Sequence, residues 1–187
     1  VITDDYSFGM QIGDGKCVLI DENGQFLEPI PWDDDCQLNV TTSICDDDAI
    51  DEFRFYISDK MPTAVFIGSD GIDDSYANEE ELYALYRSIL KIFIEHGDEV
   101  GKSEIREYLP VLTKRGSGDD VSMGLIINQK RAKSISSVFE MQIEVFKLTE
   151  ELQDKKHKKD IVTEKALRLS SRIKKWKDVV DMPSEEQ

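Results

Sequence analysis

Apolar and polar positions alternate with period two through the first third of the chain, then shift to a helical period. Phe8, Met10 and Ile12 alternate with Gly9 and Gln11, the pattern of a strand with one buried face. Cys17 to Ile20 forms a second apolar run, and Glu22-Asn23-Gly24 leads into a third, Phe26 to Ile30. Asn-Gly readily adopts positive φ, so residues 7–32 predict a β-meander. Residues 33–51 are polar, with one short strand expected near Leu38–Val40. Phe53, Phe55 and Ile57 alternate with Arg54, Tyr56 and Ser58, which predicts a half-buried strand. Further strands are expected over 64–69, after the Lys60-Met61-Pro62 turn, and over 121–127.

Two helices lie between those last strands. Asn78 is placed as an N-cap, with Glu79, Glu80 and Glu81 in the first turn where acidic groups are favoured. Leu82, Leu85, Tyr86, Ile89, Leu90 and Phe93 form a stripe to about Glu95, and Gly97 stops it. Residues 102–113 predict a second, shorter helix with Ile105, Tyr108, Leu109 and Leu112 on one face. From about Gln129 no strand pattern remains. Val138, Met141, Val145, Leu148 and Leu152 recur three and four apart, and Val162, Ala166, Leu169, Ile173, Trp176 and Val180 resume that spacing. Between them lies the polar run Asp154 to Asp160. The pattern is the seam of a helical hairpin or short coiled coil, able to fold back, pack on the body or bind another chain. The short break, with Asp160 as a cap for a second helix, favours the hairpin. The chain thus divides into a body, 1–128, and a helical tail, 129–187.

Charge sharpens that division. Residues 1–128 carry 9 Lys/Arg against 28 Asp/Glu, a net of −19, whereas residues 129–187 carry 14 against 11, a net of +3. An acidic body argues against nucleic acid as a partner, because phosphate backbones demand clustered cations. The tail's small excess of positive charge does not argue for a membrane surface. No apolar run approaches the ~18 residues of a membrane span. The start, Val1-Ile2-Thr3-Asp4-Asp5, is acidic and unlike a secretory signal. The chain runs straight from Val1 into strand-like sequence, which suggests that an N-terminal part is missing. Cys17, Cys36 and Cys45 are scattered, with no C-x-x-C. That argues against zinc and fits reduced thiols and a cytoplasmic location. Runs such as Asp33-Asp34-Asp35 and Asp46-Asp47-Asp48 are expected as solvated loops.

Two acidic clusters carry the chemistry. Ser69-Asp70-Gly71-Ile72-Asp73-Asp74 follows the strand at 64–68, and Gly116-Ser117-Gly118-Asp119-Asp120 precedes the strand at 121–127. If those strands pair antiparallel, Asp70 and Asp119 lie at one sheet edge and converge. Paired carboxylates on short Gly-containing loops are hard oxygen donors suited to Mg²⁺ or Mn²⁺. Each has a plain alternative: Asp70 could make an Asx-turn before Gly71, Asp119 could cap a turn, and Asp14 could be a hairpin-turn residue. Asp73 and Asp120 are expected to be solvated neighbours. An EF-hand over Asp70–Glu81 is excluded, since Ile72 and Tyr76 fall where oxygen ligands are needed and the sixth-position Gly is missing.

Ser-Asp-Gly-Ile-x-Asp after a strand, then Gly-Ser-x-Asp-Asp-x-Ser some 50 residues later, resembles the C-terminal part of the protein phosphatase 2C family. Gly13-Asp14-Gly15-Lys16 is similar to that family's Gly-Asp-Ser-Arg turn with two substitutions, and Asp119-Asp120 stands where the family usually has Asp-Asn. The likeness spans roughly residues 7–128. It implies an α/β (α+β) fold: an antiparallel β-sandwich flanked by helices, with metals at one edge, here followed by the C-terminal helical hairpin. It also implies a metal-dependent serine/threonine phosphatase with a centre of two, and up to three, Mg²⁺ or Mn²⁺ ions. Asp70 and Asp119 would be ligands of the binuclear centre. Asp14 would serve the third ion, and Asp74 would act directly or through water. No catalytic side chain is implied beyond the ligands, because a metal-bridging water attacks the phosphorus.

The family's N-terminal portion carries an Asp-Gly-x-x-Gly ligand segment, a further acidic ligand and a phosphate-binding arginine, none found here. These residues alone are therefore expected to bind Mn²⁺ weakly and to have little activity, while the full-length protein would hydrolyse phosphoprotein substrates. The alternative is a catalytically degraded phosphatase-like scaffold that binds a protein partner through its helical tail.

Overall fold

The computed structural model describes residues 1–33, 36 and 40–180, the last six by backbone alone. Asp34, Asp35, Leu38 and Asn39, and the side chains of Trp176 and Val180, lie outside the described residues. The chain separates into two compact units, Val1–Ile143 and Glu144–Gln187.

In the first unit, β1 (Ser7–Gln11) pairs antiparallel with β4 (Arg54–Ser58) as a two-stranded sheet. The four-stranded sheet has the order β3-β2-β5-β6, with β2 (Lys16–Ile20), β3 (Phe26–Leu27), β5 (Ala64–Gly68) and β6 (Met123–Ile127) all antiparallel to their neighbours. The expected meander therefore holds only between β2 and β3, joined at Gly24 with φ +79°. β1 leaves the meander because its backbone groups are taken by β4.

One face of the larger sheet builds the core. Val18, Ile20, Ala64 and Phe66 are buried against Leu82, Tyr86, Ile89, Leu90 and Phe93 of α2 (Glu79–Arg115), with Phe139 closing the cluster. Phe66 and Tyr86 stack at 4.1 Å between ring centroids. Residues of both sheets line an apolar cleft of about 600 Å³, among them Met10, Cys17, Tyr56, Val65 and Ile67. The architecture is mixed α/β with two antiparallel sheets and helices.

β4 inverts its expected face. Phe55 and Ile57 are 67% and 66% exposed, whereas Arg54, Tyr56 and Ser58 turn inward. Arg54 explains the choice: its guanidinium donates to the Pro31 carbonyl at 2.8 Å and the Gly13 carbonyl at 2.5 Å, and pairs with the Asp33 carboxylate at 3.2 Å. Asp33, expected as a solvated residue, is buried and also accepts from Thr42 Oγ1 at 2.7 Å.

Asn78 caps α2 as expected, its side chain accepting from the Glu81 N–H at 3.1 Å, while the Glu81 carboxylate accepts from the Ala77 N–H. The two expected helices are the halves of α2, which breaks at Gly97 (φ +81°, ψ −178°), a left-handed backbone that suits glycine. The tail begins with α3 (Gln129–Ser134), followed by α4 (Ser136–Val180). Phe139 and Gln142, in the first turns of α4, dock in the first unit, where Gln142 Nε2 donates to the Gly24 carbonyl at 3.1 Å. The hairpin is corrected: Asp154 to Asp160 stays helical, because lysines are good helix formers and Lys158 pairs with Asp154 at 2.7 Å one turn away.

The two faces make a stability contrast. Phe66→Ala should cost about 3–5 kcal/mol in urea unfolding, while Phe55→Ala should stay within about 0.5 kcal/mol. Equal losses would show that the core lies elsewhere.

Candidate functional site

The register of β5 and β6 builds the site. Gly68 stands opposite Met123, so the chain leaving β5 and the chain entering β6 emerge at one edge of the sheet. Asp70 opens the short helix α1 (Asp70–Asp73) directly after β5, and Asp119 lies in the loop just before β6. β2 brings the third cluster to the same edge, since Lys16 pairs with Gly68 and Asp14 precedes it in the β1–β2 turn.

Serines tie the two acidic loops together. The Ser69 N–H donates to the Ser122 carbonyl at 3.1 Å, Ser69 Oγ donates to the Asp120 carbonyl at 3.0 Å, and the Ser122 N–H donates back to Ser69 Oγ at 3.1 Å. Ser75 Oγ and Ser117 Oγ both donate to the Gly71 carbonyl, at 2.6 and 3.0 Å. The Ser117 N–H donates to Ser75 Oγ at 3.1 Å. Reading the sequence missed Ser75; its only signal was a small polar residue one step past the acidic cluster. Glycines make room for this closeness. A Cβ on Gly71 would meet the Asp120 carbonyl oxygen at 2.6 Å, and one on Gly116 would meet Ser75 Oγ at 2.2 Å.

Each principal carboxylate spends one oxygen locally. Asp70 Oδ1 accepts from the Gly71 N–H and Asp119 Oδ1 from the Asp120 N–H, both at 2.7 Å. The turn roles and a ligand role are thus compatible, because a carboxylate keeps further lone pairs.

Asp74 senses the carboxylates around it. Partial loss of hydration, then the charges of Asp70, Asp73, Asp119 and Asp14, raise Asp74 above the ordinary carboxylate value. Asp73 is not merely a solvated neighbour: Lys16 Nζ sits 3.0 Å from its carboxylate and 3.2 Å from that of Glu28. Burial alone would lower Lys16, but the hydrogen bond and charge of Asp73, with Glu28, outweigh it and raise its pKa. Repulsion among the carboxylates is what a bound cation would relieve. The donor set fits a hard cation in kind but falls short in number. Among the described residues no three carboxylate, imidazole or thiol side chains gather closely enough to hold a metal ion.

The body is mixed α/β with two antiparallel sheets, and three acidic segments end at one edge of the larger sheet. The sequence model of the Protein phosphatase 2C family matches residues 1–110, more than half of the chain, and the chain belongs to that family. Asp14, Asp70 and Asp74 fall inside the matched stretch; Asp119 lies beyond it and is joined to them by the β5–β6 register. A search of curated proteins finds none that matches. Among the described residues no helix is long and apolar enough to cross a membrane.

Gly71→Ala should strain the junction of the two loops and cost about 1–3 kcal/mol in urea unfolding. A loss below about 0.5 kcal/mol would show that the loops are not held as close as described.

Proposed function

We propose that the chain contributes to a metal-dependent protein serine/threonine phosphatase, with Asp70 and Asp119 as principal ligands of Mg²⁺ or Mn²⁺. The observation that supports this most is the antiparallel β5–β6 register, which delivers both carboxylates to one edge and charges the surroundings of Asp74. Asp14 is proposed for a further, weaker ion, and Asp74 as a direct or water-mediated contact. A divalent ion, when bound, makes water a better nucleophile and offsets phosphoryl charge. The chain's own residues orient the carboxylates: Ser69, Ser75 and Ser117 hold the loops, and Gly71 lets them approach. Lys16 restrains Asp73, leaving Asp70, Asp74 and Asp119 to face a cation. Phosphoproteins are the substrate class that membership of a phosphatase family implies, and the free cysteines fit a cytoplasmic protein.

The second reading is a phosphatase-like scaffold with degraded chemistry. It draws support from the shortage of gathered ligands among the described residues and from Lys16, whose ammonium is occupied by Asp73 and Glu28.

Manganese separates the readings without relying on turnover. Weak Mn²⁺ binding should selectively broaden backbone NMR signals of residues 14, 69–75 and 116–120. Asp70→Asn and Asp119→Asn should each weaken that binding at least about tenfold, the loss of one charged ligand among few. Unchanged broadening in both variants would remove the ligand assignment. In p-nitrophenyl phosphate hydrolysis with Mn²⁺ by the full-length protein, both variants should lose most activity; unchanged rates would favour the scaffold.

A further inference from the structure

The described part of the second unit is one helix with an exposed apolar stripe. Val145, Leu148, Leu152, Val162 and Leu169 are each more than half exposed. Their spacing runs unbroken through the lysine run. Counting Val145 as heptad position a, the a and d positions continue as Leu148, Leu152, Lys155, Lys159 and Val162 with no change of phase. Lys155 and Lys159 therefore occupy seam positions rather than a turn. A lone helix gains nothing in water from such a stripe, which is what a coiled-coil partner buries.

Charge identifies the partner. Residues 140–154 carry five acidic side chains and one basic, and residues 155–174 carry eight basic and two acidic. A helix of this kind complements a second copy of itself laid in the opposite direction. We propose that α4 pairs antiparallel with α4 of a second chain, making the protein a homodimer. Parallel pairing would set Lys155 against Lys155 and Lys159 against Lys159 in adjacent seam layers. Antiparallel pairing matches a with d positions instead. One register places Lys155 against Leu152 of the other copy, Lys159 against Leu148, and Val145 against Val162. The same register aligns the flanking positions so that Glu151 meets Lys158 and Glu144 meets Lys165 of the other copy, each pair occurring twice. Among the described residues Glu151 pairs with Lys155, at 3.9 Å, with both side chains well exposed, so little is lost when Glu151 turns to the partner. The acidic-to-basic order also suits the dipole of an isolated helix, but that accounts for neither the stripe nor the phase kept across the lysines.

Charge reversal tests direction and register together. Sedimentation equilibrium of the whole chain at tens of micromolar should give a dimer. E144K/E151K sets lysine against lysine at all four contacts, and K158E/K165E sets glutamate against glutamate. Each variant should dimerise at least about tenfold more weakly, and an equimolar mixture should recover a dimer containing one of each. Far-UV circular dichroism and urea unfolding of each variant confirm that the body stays folded. The proposal is overturned if the wild type sediments as a monomer, if either variant alone dimerises like the wild type, or if the mixture fails to recover.

Discussion

The pairing of β5 with both β2 and β6 is the constraint on which the rest depends. β5 lies inside the larger sheet, paired along its whole length on both edges. Its core-facing side chains anchor α2, and its hydrogen bonds fix where three acidic segments end. A one-residue slip against β6 would turn Phe66 away from Tyr86 and move Asp70 along the edge from Asp119. Packing and chemistry are therefore set by one register, and the buried Phe66 holds that register in place.

The acidic edge is a compromise between folding and function. Gathered carboxylates repel one another, and the fold tolerates them because each loop is tied by uncharged groups. Ser69, Ser75 and Ser117 supply hydrogen bonds that do not depend on charge, and Lys16 neutralises only the flank at Asp73. The charges of Asp70, Asp119 and Asp14 still reach Asp74.

The tail obeys a different economy. Its charges form ion pairs one turn apart, such as Lys158 with Asp154 and Arg168 with Glu164, which are worth a few tenths of a kcal/mol each, about 0.2–0.5. Such pairs sustain a helix but do not bury apolar surface. The first turns of α4 find their cover through Phe139 and Gln142, and beyond Ile143 Val145, Leu148, Leu152, Val162 and Leu169 are each more than half exposed.

Local rules were enough to read much of this protein from sequence. The Asn78 cap, the break at Gly97, the strands at β2 and β5 and the heptad of the tail follow from backbone preference and side-chain period, which need only near neighbours. The clusters holding Asp70 and Asp119 were legible for the same reason, as short polar loops flanking apolar runs, and their order along the chain carried the family likeness. What only the tertiary structure decided depends on residues far apart. Period two shows that β4 has two faces but not which is inward; Arg54 settled that through Asp33, Pro31 and Gly13. Sequence could not separate a lysine run that breaks a helix from one that continues it, since lysine suits both a loop and a helix surface. Nor could it show Ser75 reaching Ser117, or Asp73 taken by Lys16. Spacing along the chain ranks residue types, whereas the contacts that assign their roles exist only once β5 has brought distant segments to one edge.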